Sequence, residues 1–222
     1  MKRLKQRPKA VLFDMDGVIV DTMPYHFLAW YESLRPLGVR VSCFEVYSRE
    51  GENWEKSLTD LLAQSGIPAR RETVQKIFLA RQKVFRKYFK RRLFDGAEEF
   101  LRCLASKGYS LGLVTGTPVD QLRKILPRRI ERLFDALVTG DRVRHGKPHP
   151  EPYQKAAKLL RLRPCECLVV ENAPLGIRSA KAAGMFCVAL TTSLPRQYLR
   201  GADIVVDRLE DITGVIERSC KL

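Results

Sequence analysis

The 222-residue chain has no apolar run approaching the ~20 residues of a membrane-spanning helix. Its opening stretch, MKRLKQRPK, is basic and leads straight into a strand, with no apolar signal-peptide core and no small-residue cleavage site. A cytoplasmic protein with no membrane partner is the expectation. The six cysteines (Cys43, Cys103, Cys165, Cys167, Cys187 and Cys220) match no zinc spacing, and the chain is too long to look like a disulfide scaffold. Reduced, mostly buried thiols are expected. Acid is scarce in one place: from Arg70 to Arg92, ten Lys or Arg stand against Glu72 alone, in a chain of net charge +15. No nucleic-acid motif accompanies that cluster, so no nucleic-acid partner is expected. A solvated helix face, or an attraction for small anionic substrates, accounts for it. There is no internal repeat, no low-complexity tract and nothing resembling a dedicated interface, so a monomer is expected.

What is present alternates. Short apolar runs at 11–13, 109–116, 136–141, 167–172, 186–192 and 202–207 read as strands, and helical stretches separate them from residue 93 onward. Near-continuous apolar strands with helices between them predict a parallel sheet covered on both faces. Ligands of such sheets bind at the strands' carboxyl ends. Asp14, Thr115, Glu171 and Asn172 all fall at predicted strand ends, although they are far apart in sequence.

Residues 22–92 need no strand. One helix starts near Pro24 and ends at Gly38, a second ends at Gly66, and a third carries Val74, Ile77, Phe78, Phe85 and Phe89 near helical spacing. The expected fold is an α/β, Rossmann-like parallel core (1–21 and 93–222) with an inserted helical cap (22–92). Phe27, Trp30, Phe78, Phe85 and Phe89 are expected to form the cap's own core.

The segment KAVLFDMDGVIVDT (9–22) ends an apolar strand in Asp14, followed by Asp16 and Gly17. Two carboxylates there repel and resist burial. DMDGVIVDT resembles the nucleophile motif of the haloacid dehalogenase superfamily. Three further motifs follow in that family's order: Thr115 closing LGLVTGT, Lys147 in HGKPHPEPY, and ENAPLGIRSAKAAGM at 171–185. The resemblance spans residues 11 to 185. DTMPYHFLAW and KPHPEPY also match the helical-cap branch of β-phosphoglucomutase-like phosphatases.

The resemblance implies Asp14 as the nucleophile that forms an aspartyl-phosphate, and Asp16 as the acid/base. It implies Thr115 and the Gly116 amide on the phosphate, and Lys147 bridging phosphate and nucleophile. It implies Mg2+ on Asp14, the Asp16 carbonyl and the acidic fourth motif. Here that motif is Glu171-Asn172, where many relatives have Glu-Asp. The site loses a negative charge, so weaker Mg2+ binding is expected, with Glu171 reaching the ion directly or through water. Gly17 would let the backbone approach the ligand. His26 would sit near Asp16 when the cap closes, and Asp21-Thr22 would begin the hinge.

The mutase of this branch has a Gly-Val-Ser-Arg cap segment that holds a second phosphate. The corresponding stretch, REGENWEKSL (49–58), puts Trp54 where that arginine stands and adds Glu50 and Glu52. Those acids disfavour a distal phosphate. Glu50, Asn53 and Trp54, with Arg81 or Lys83, are the candidate contacts for a leaving group. The expected activity is therefore Mg2+-dependent hydrolysis of a small phosphorylated metabolite, such as a sugar phosphate. The alternatives are a β-phosphoglucomutase-type phosphomutase, and a non-catalytic basic binding protein on the same fold.

Overall fold

The computed structural model describes residue 4 and residues 6–218. Six strands, β1 (Ala10–Phe13), β2 (Ser110–Val114), β3 (Ala136–Val138), β4 (Cys167–Glu171), β5 (Phe186–Leu190) and β6 (Ile204–Val206), form one parallel sheet in the order β3-β2-β1-β4-β5-β6. All six coincide with predicted apolar runs. The chain winds outward from β1 to β3 and then crosses back to β4 on β1's other side. The order reverses at β1, which opens a crevice above its carboxyl end.

The strands are apolar throughout because both faces are covered. On β1, Val11 and Phe13 join one buried cluster, while Ala10 and Leu12 join the other. Helices α5 (Ala97–Ser106), α6 (Val119–Ile125), α7 (Arg128–Glu131) and α10 (Asp211–Arg218) supply residues to the first cluster. Helices α8 (Glu151–Leu159) and α9 (Pro174–Ala182) supply the second. Phe13 sits edge-on to Phe100 and Phe134, with ring centroids 6.2 and 6.3 Å away.

Between β1 and α5 lie α1 (Met23–Leu34), α2 (Cys43–Ser48), α3 (Trp54–Gln64) and α4 (Arg71–Tyr88). Pro24 begins α1, and Gly38 ends the 3-10 turn after it in the left-handed conformation. The short α2 had not been anticipated; Ser42 and Glu45 start it with a reciprocal capping box. α1 and α4 pack along each other over a separate apolar cluster that includes Trp30, Leu34, Leu58, Leu62 and Ile77. The chain leaves and re-enters the core side by side: Val20 bridges Leu93, and the Asp21 amide donates to the Arg92 carbonyl at 2.9 Å.

Three expectations need correction. Phe85 and Phe89 pack against the core's first cluster as well as against His26 and Tyr25 of α1, because α4's last turns run down onto the sheet layer. Phe78 stacks on Trp54 at the cap's inner surface. Of the described cysteines, only Cys167 and Cys187 are buried; Cys43, Cys103 and Cys165 are exposed, and Cys220 lies outside the described residues. The basic cluster of 70–92 is a solvated face, apart from Arg81, which turns inward.

Phe13 has no exposed surface, and both its ring neighbours belong to the core. Phe13→Ala should lower the unfolding free energy by about 3–5 kcal/mol, measured by urea denaturation.

Candidate active site

Asp14 follows β1 directly, and its amide donates to the Val170 carbonyl of β4 at 3.0 Å. Lys147 Nζ donates to Asp14 Oδ1 at 2.8 Å and to Glu171 Oε1 at 2.6 Å. All three side chains are almost fully buried. Burial pushes the Asp14 carboxyl up to about 7; Glu171 and Asp16 add to the rise, and Lys147 opposes it. Burial also works against the Lys147 charge, but Asp14 and Glu171 outweigh it and hold the ammonium protonated.

Asp16 is fully buried yet held below the usual carboxylate range. Burial disfavours its charge, and donors from His26, Thr22 and Thr117 more than offset that cost. Thr22 Oγ1 donates to Oδ1 at 2.6 Å, and Thr117 Oγ1 to Oδ2 at 3.1 Å. His26 Nε2 lies 3.2 Å from Oδ1, and Arg81 Nη2 lies 3.4 Å from His26 Nδ1. A guanidinium only donates, so Nδ1 is the acceptor and Nε2 carries the proton toward Asp16. Thr115 donates its hydroxyl to Asp16 Oδ2 at 3.3 Å and accepts the Thr117 amide at 3.0 Å.

Just past the carboxyl ends of β1 and β4, two buried side-chain oxygens have no hydrogen-bond partner among the described residues: Asp14 Oδ2 and Asn172 Oδ1. Asn172 spends its amide nitrogen on Ser193 Oγ at 2.8 Å, which leaves the carbonyl oxygen free. Gly17, at φ 80°, makes that pairing possible, since a Cβ there would lie 2.1 Å from Asn172 Nδ2. Its lack of a side chain thus makes room for Asn172, where room for the ligand had been expected. Two orphaned hard oxygens fit a divalent cation such as Mg2+. Glu171, expected as a ligand, is otherwise engaged. Its Oε1 accepts from Lys147 and, at 2.6 Å, from the Tyr153 hydroxyl, and its Oε2 accepts the Asn172 amide at 3.0 Å.

Above these groups lies a cavity of about 350 Å³ between core and cap. Thr115, Gly116 and Lys147 line its floor; His26, Trp30, Glu50, Trp54, Phe78 and Arg81 line its cap side. Gly51, also at positive φ, rests on the stem of Lys147, and a Cβ there would lie 2.5 Å from Lys147 Cδ. Gly116 borders the same turn: a Cβ there would lie 3.3 Å from the Gly51 carbonyl oxygen. Glu50 is desolvated and faces Asp16 and Asp14, so its carboxyl is raised well above the ordinary range although Lys147 opposes this.

The remaining cap residues divide by role. Trp54 stacks on Phe78 with centroids 4.0 Å apart. Asn53 lines the cavity, but its side chain caps α3, accepting from the Glu55 and Lys56 amides at 2.9 and 3.2 Å. Glu52 is neutralised by Arg49 and Lys56, so its charge does not act on the cavity as expected. Arg81 lies over the Trp30 ring at 4.5 Å, and its Nε is buried without a partner. Burial lowers its guanidinium to about 10, with Glu50 and Asp16 opposing. Lys83 faces solvent.

Sequence reasoning missed three contributors: Thr22 and Thr117 as donors to Asp16, and Tyr153 on Glu171. Thr22 and Thr117 stand inside recognised motifs, in VIVDT and TGTP; Thr22 lies six residues past Asp16, and Thr117 two past Thr115 at a strand end. Tyr153 follows its motif's prolines with no polar pattern to mark it.

The chain is similar to known proteins along nearly its whole length. Over 208 residues, 93% of this chain and 95% of the other, it is 33% identical to the validoxylamine A 7'-phosphate phosphatase of Streptomyces hygroscopicus subsp. limoneus. It is 31% identical over 216 residues to the beta-phosphoglucomutase of Bacillus subtilis, covering 92% of each chain. The crystal structure of a beta-phosphoglucomutase from Clostridium difficile superposes with a TM-score of 0.81 at 25% identity, covering 96% of this chain and 99% of that one. The haloacid dehalogenase-like hydrolase model matches residues 8–184, from the start of the nucleophile strand through the fourth motif, and the chain belongs to that family.

Proposed function

We propose that the protein is a Mg2+-dependent phosphatase acting on a small phosphorylated sugar or a similar phosphomonoester through an aspartyl-phosphate. One observation carries this reading. A buried aspartate, Asp14, is bonded to a buried lysine through one oxygen and leaves the other unpartnered, beside a second aspartate held by hydroxyl and imidazole donors. The similarity to a validoxylamine A 7'-phosphate phosphatase, over nearly its whole length, supports the reaction class.

A bound Mg2+ would supply positive charge against the transferring phosphoryl group. Asp14 Oδ2, Asn172 Oδ1 and the Asp16 backbone carbonyl would hold it, with Glu171 anchoring Lys147 instead of the ion. In the first half-reaction an Asp14 oxygen bonds to phosphorus as the bond to the leaving oxygen breaks, and a proton on Asp16 passes to that oxygen. In the second, Asp16 takes a proton from water, the water oxygen bonds to phosphorus, and Asp14 departs with inorganic phosphate free. The described donors hold Asp16 in its ionised form, the form that accepts water's proton. An entering phosphate competes for the Thr115 hydroxyl, removes one of those donors, and so favours proton uptake by Asp16. Lys147 neutralises the phosphate as a point charge, and the Gly116 backbone borders the same floor. Trp54 and Phe78 offer a flat apolar wall for a sugar ring, and Glu50 offers a carboxyl for its hydroxyls.

Arg81 favours a second reading, a sugar phosphomutase. It is a cap cation at the cavity whose Nε has no partner, so it is able to bind a second phosphate. With a hexose phosphate and Mg2+, stoichiometric release of inorganic phosphate supports the phosphatase. Isomer formation without release would replace it with the mutase.

Asp14→Asn should reduce phosphate release by at least roughly 10⁴-fold with unchanged circular dichroism. A non-catalytic binding protein would lose nothing. Asn172→Asp restores a negative charge and should lower the Mg2+ concentration for half-activity; an unchanged requirement would remove Asn172 from the ion's surroundings. Because the free Asp14 carboxyl sits near 7, Mg2+ must displace a proton below that pH. The half-saturating Mg2+ concentration should therefore rise by about tenfold per unit as pH falls below 7, and level off above it.

A further inference from the structure

Two of the protein's three histidines lie outside the site described above, on the outer side of the turn that carries Lys147. His145 precedes the lysine by two residues and His149 follows it by two. Their rings stand 4.6 Å apart, tilted by 36°. Glu151, the first residue of α8, lies beside them. One ligand atom from each of the three falls within 4.8 Å of the other two. Both histidines are exposed and Glu151 is half-buried, so a solvated ion can reach them.

We propose that His145, His149 and Glu151 form a second metal site that takes a borderline-soft divalent ion, of the class of Zn2+, Ni2+ or Cu2+. The donor set decides the class. Two imidazole nitrogens and one carboxylate suit those ions, whereas Mg2+ prefers oxygen donors such as those at Asp14 and Asn172. The two sites therefore differ in preference as well as in place.

Local bonding arranges the donors before any ion binds. The Arg144 and His145 amides donate to the Glu151 carboxylate at 2.7 and 2.9 Å, fixing its position. Those bonds and His145 keep it below the usual carboxylate range, hence ionised. The His149 amide closes the lysine turn onto the Gly146 carbonyl at 3.0 Å, and Ser179 Oγ holds the His149 carbonyl at 2.6 Å. Ion binding exchanges two exposed hydrogen bonds for coordinate bonds: His145 Nδ1 with Glu151 Oε2 at 3.1 Å, and the Glu151 amide with His149 Nδ1 at 3.2 Å. The freed amide lies at a helix start, where water satisfies it. The bound ion ties together the two ends of the Lys147 turn, so its occupancy stiffens the loop that presents the lysine to Asp14.

The test is a Zn2+ titration of the untagged full-length protein in excess Mg2+, followed by imidazole NMR and calorimetry. Three histidines give three sets of ring signals. The His145 and His149 signals should shift together and return on chelation, while His26, beside Asp16, stays in place. His145→Ala and His149→Ala should each weaken the event by more than the roughly tenfold that loss of even an outer partner costs. Glu151→Gln, which keeps an acceptor for the turn amides, should weaken it as well. Zn2+ should raise the melting temperature of the wild type and not that of the double variant His145→Ala/His149→Ala. Comparable melting of all variants without metal excludes misfolding. A Zn2+ event that moves His26 alone, or that persists at equal affinity in the double variant, overturns the proposal.

Discussion

Lys147 places one buried ammonium between two buried carboxylates, and the catalytic end of the sheet is assembled around that charge. Removing one partner of such a group leaves an uncompensated buried ion, at a cost of about 3–5 kcal/mol. Each partner comes from a different part of the chain: Asp14 from the end of β1, Glu171 from the end of β4, and the lysine from the loop after β3. The pairing therefore ties the central strands to a loop at one edge. Glu171 is the quiet member of the group. By accepting from Lys147, Tyr153 and its own neighbour's amide, it frees Asp14 to keep one oxygen unengaged.

Asp16 obeys a different rule although it is only two residues away. Its bonds come from hydroxyls and an imidazole, with no direct lysine or arginine bond among the described residues, so its proton affinity is set largely by groups that can leave. Thr22 and His26 belong to the cap's entry, and Thr115 and Thr117 to the loop after β2. A fixed charge beside Asp14 and removable donors beside Asp16 give two neighbouring carboxyls opposite proton affinities.

The core was readable because its signals are redundant. Each strand is apolar on both faces, and the residues at strand ends are polar and distant in sequence, so periodicity and position agreed. The cap was less readable because its side chains serve two partners. Phe85 and Phe89 obey a helical stripe but face the other domain's core, and Phe78 faces a cavity. Asn53 and Glu52 look alike as exposed polar residues, yet one caps a helix and the other neutralises Arg49 and Lys56; only three-dimensional neighbours separate such roles. Arg81 was one basic residue among ten, and nothing in the spacing marked it as the one that turns inward.

The paired connectors at Val20 and Leu93 join the cap's two covalent links side by side, and one paired link means one clock. His26, Glu50, Trp54 and Arg81 all ride on the segment between those two residues. If it swings, the imidazole leaves Asp16 at the same moment that the cavity loses its roof and Gly51 lifts from Lys147. Opening of the cavity and release of the Asp16 carboxyl thus become one event in time.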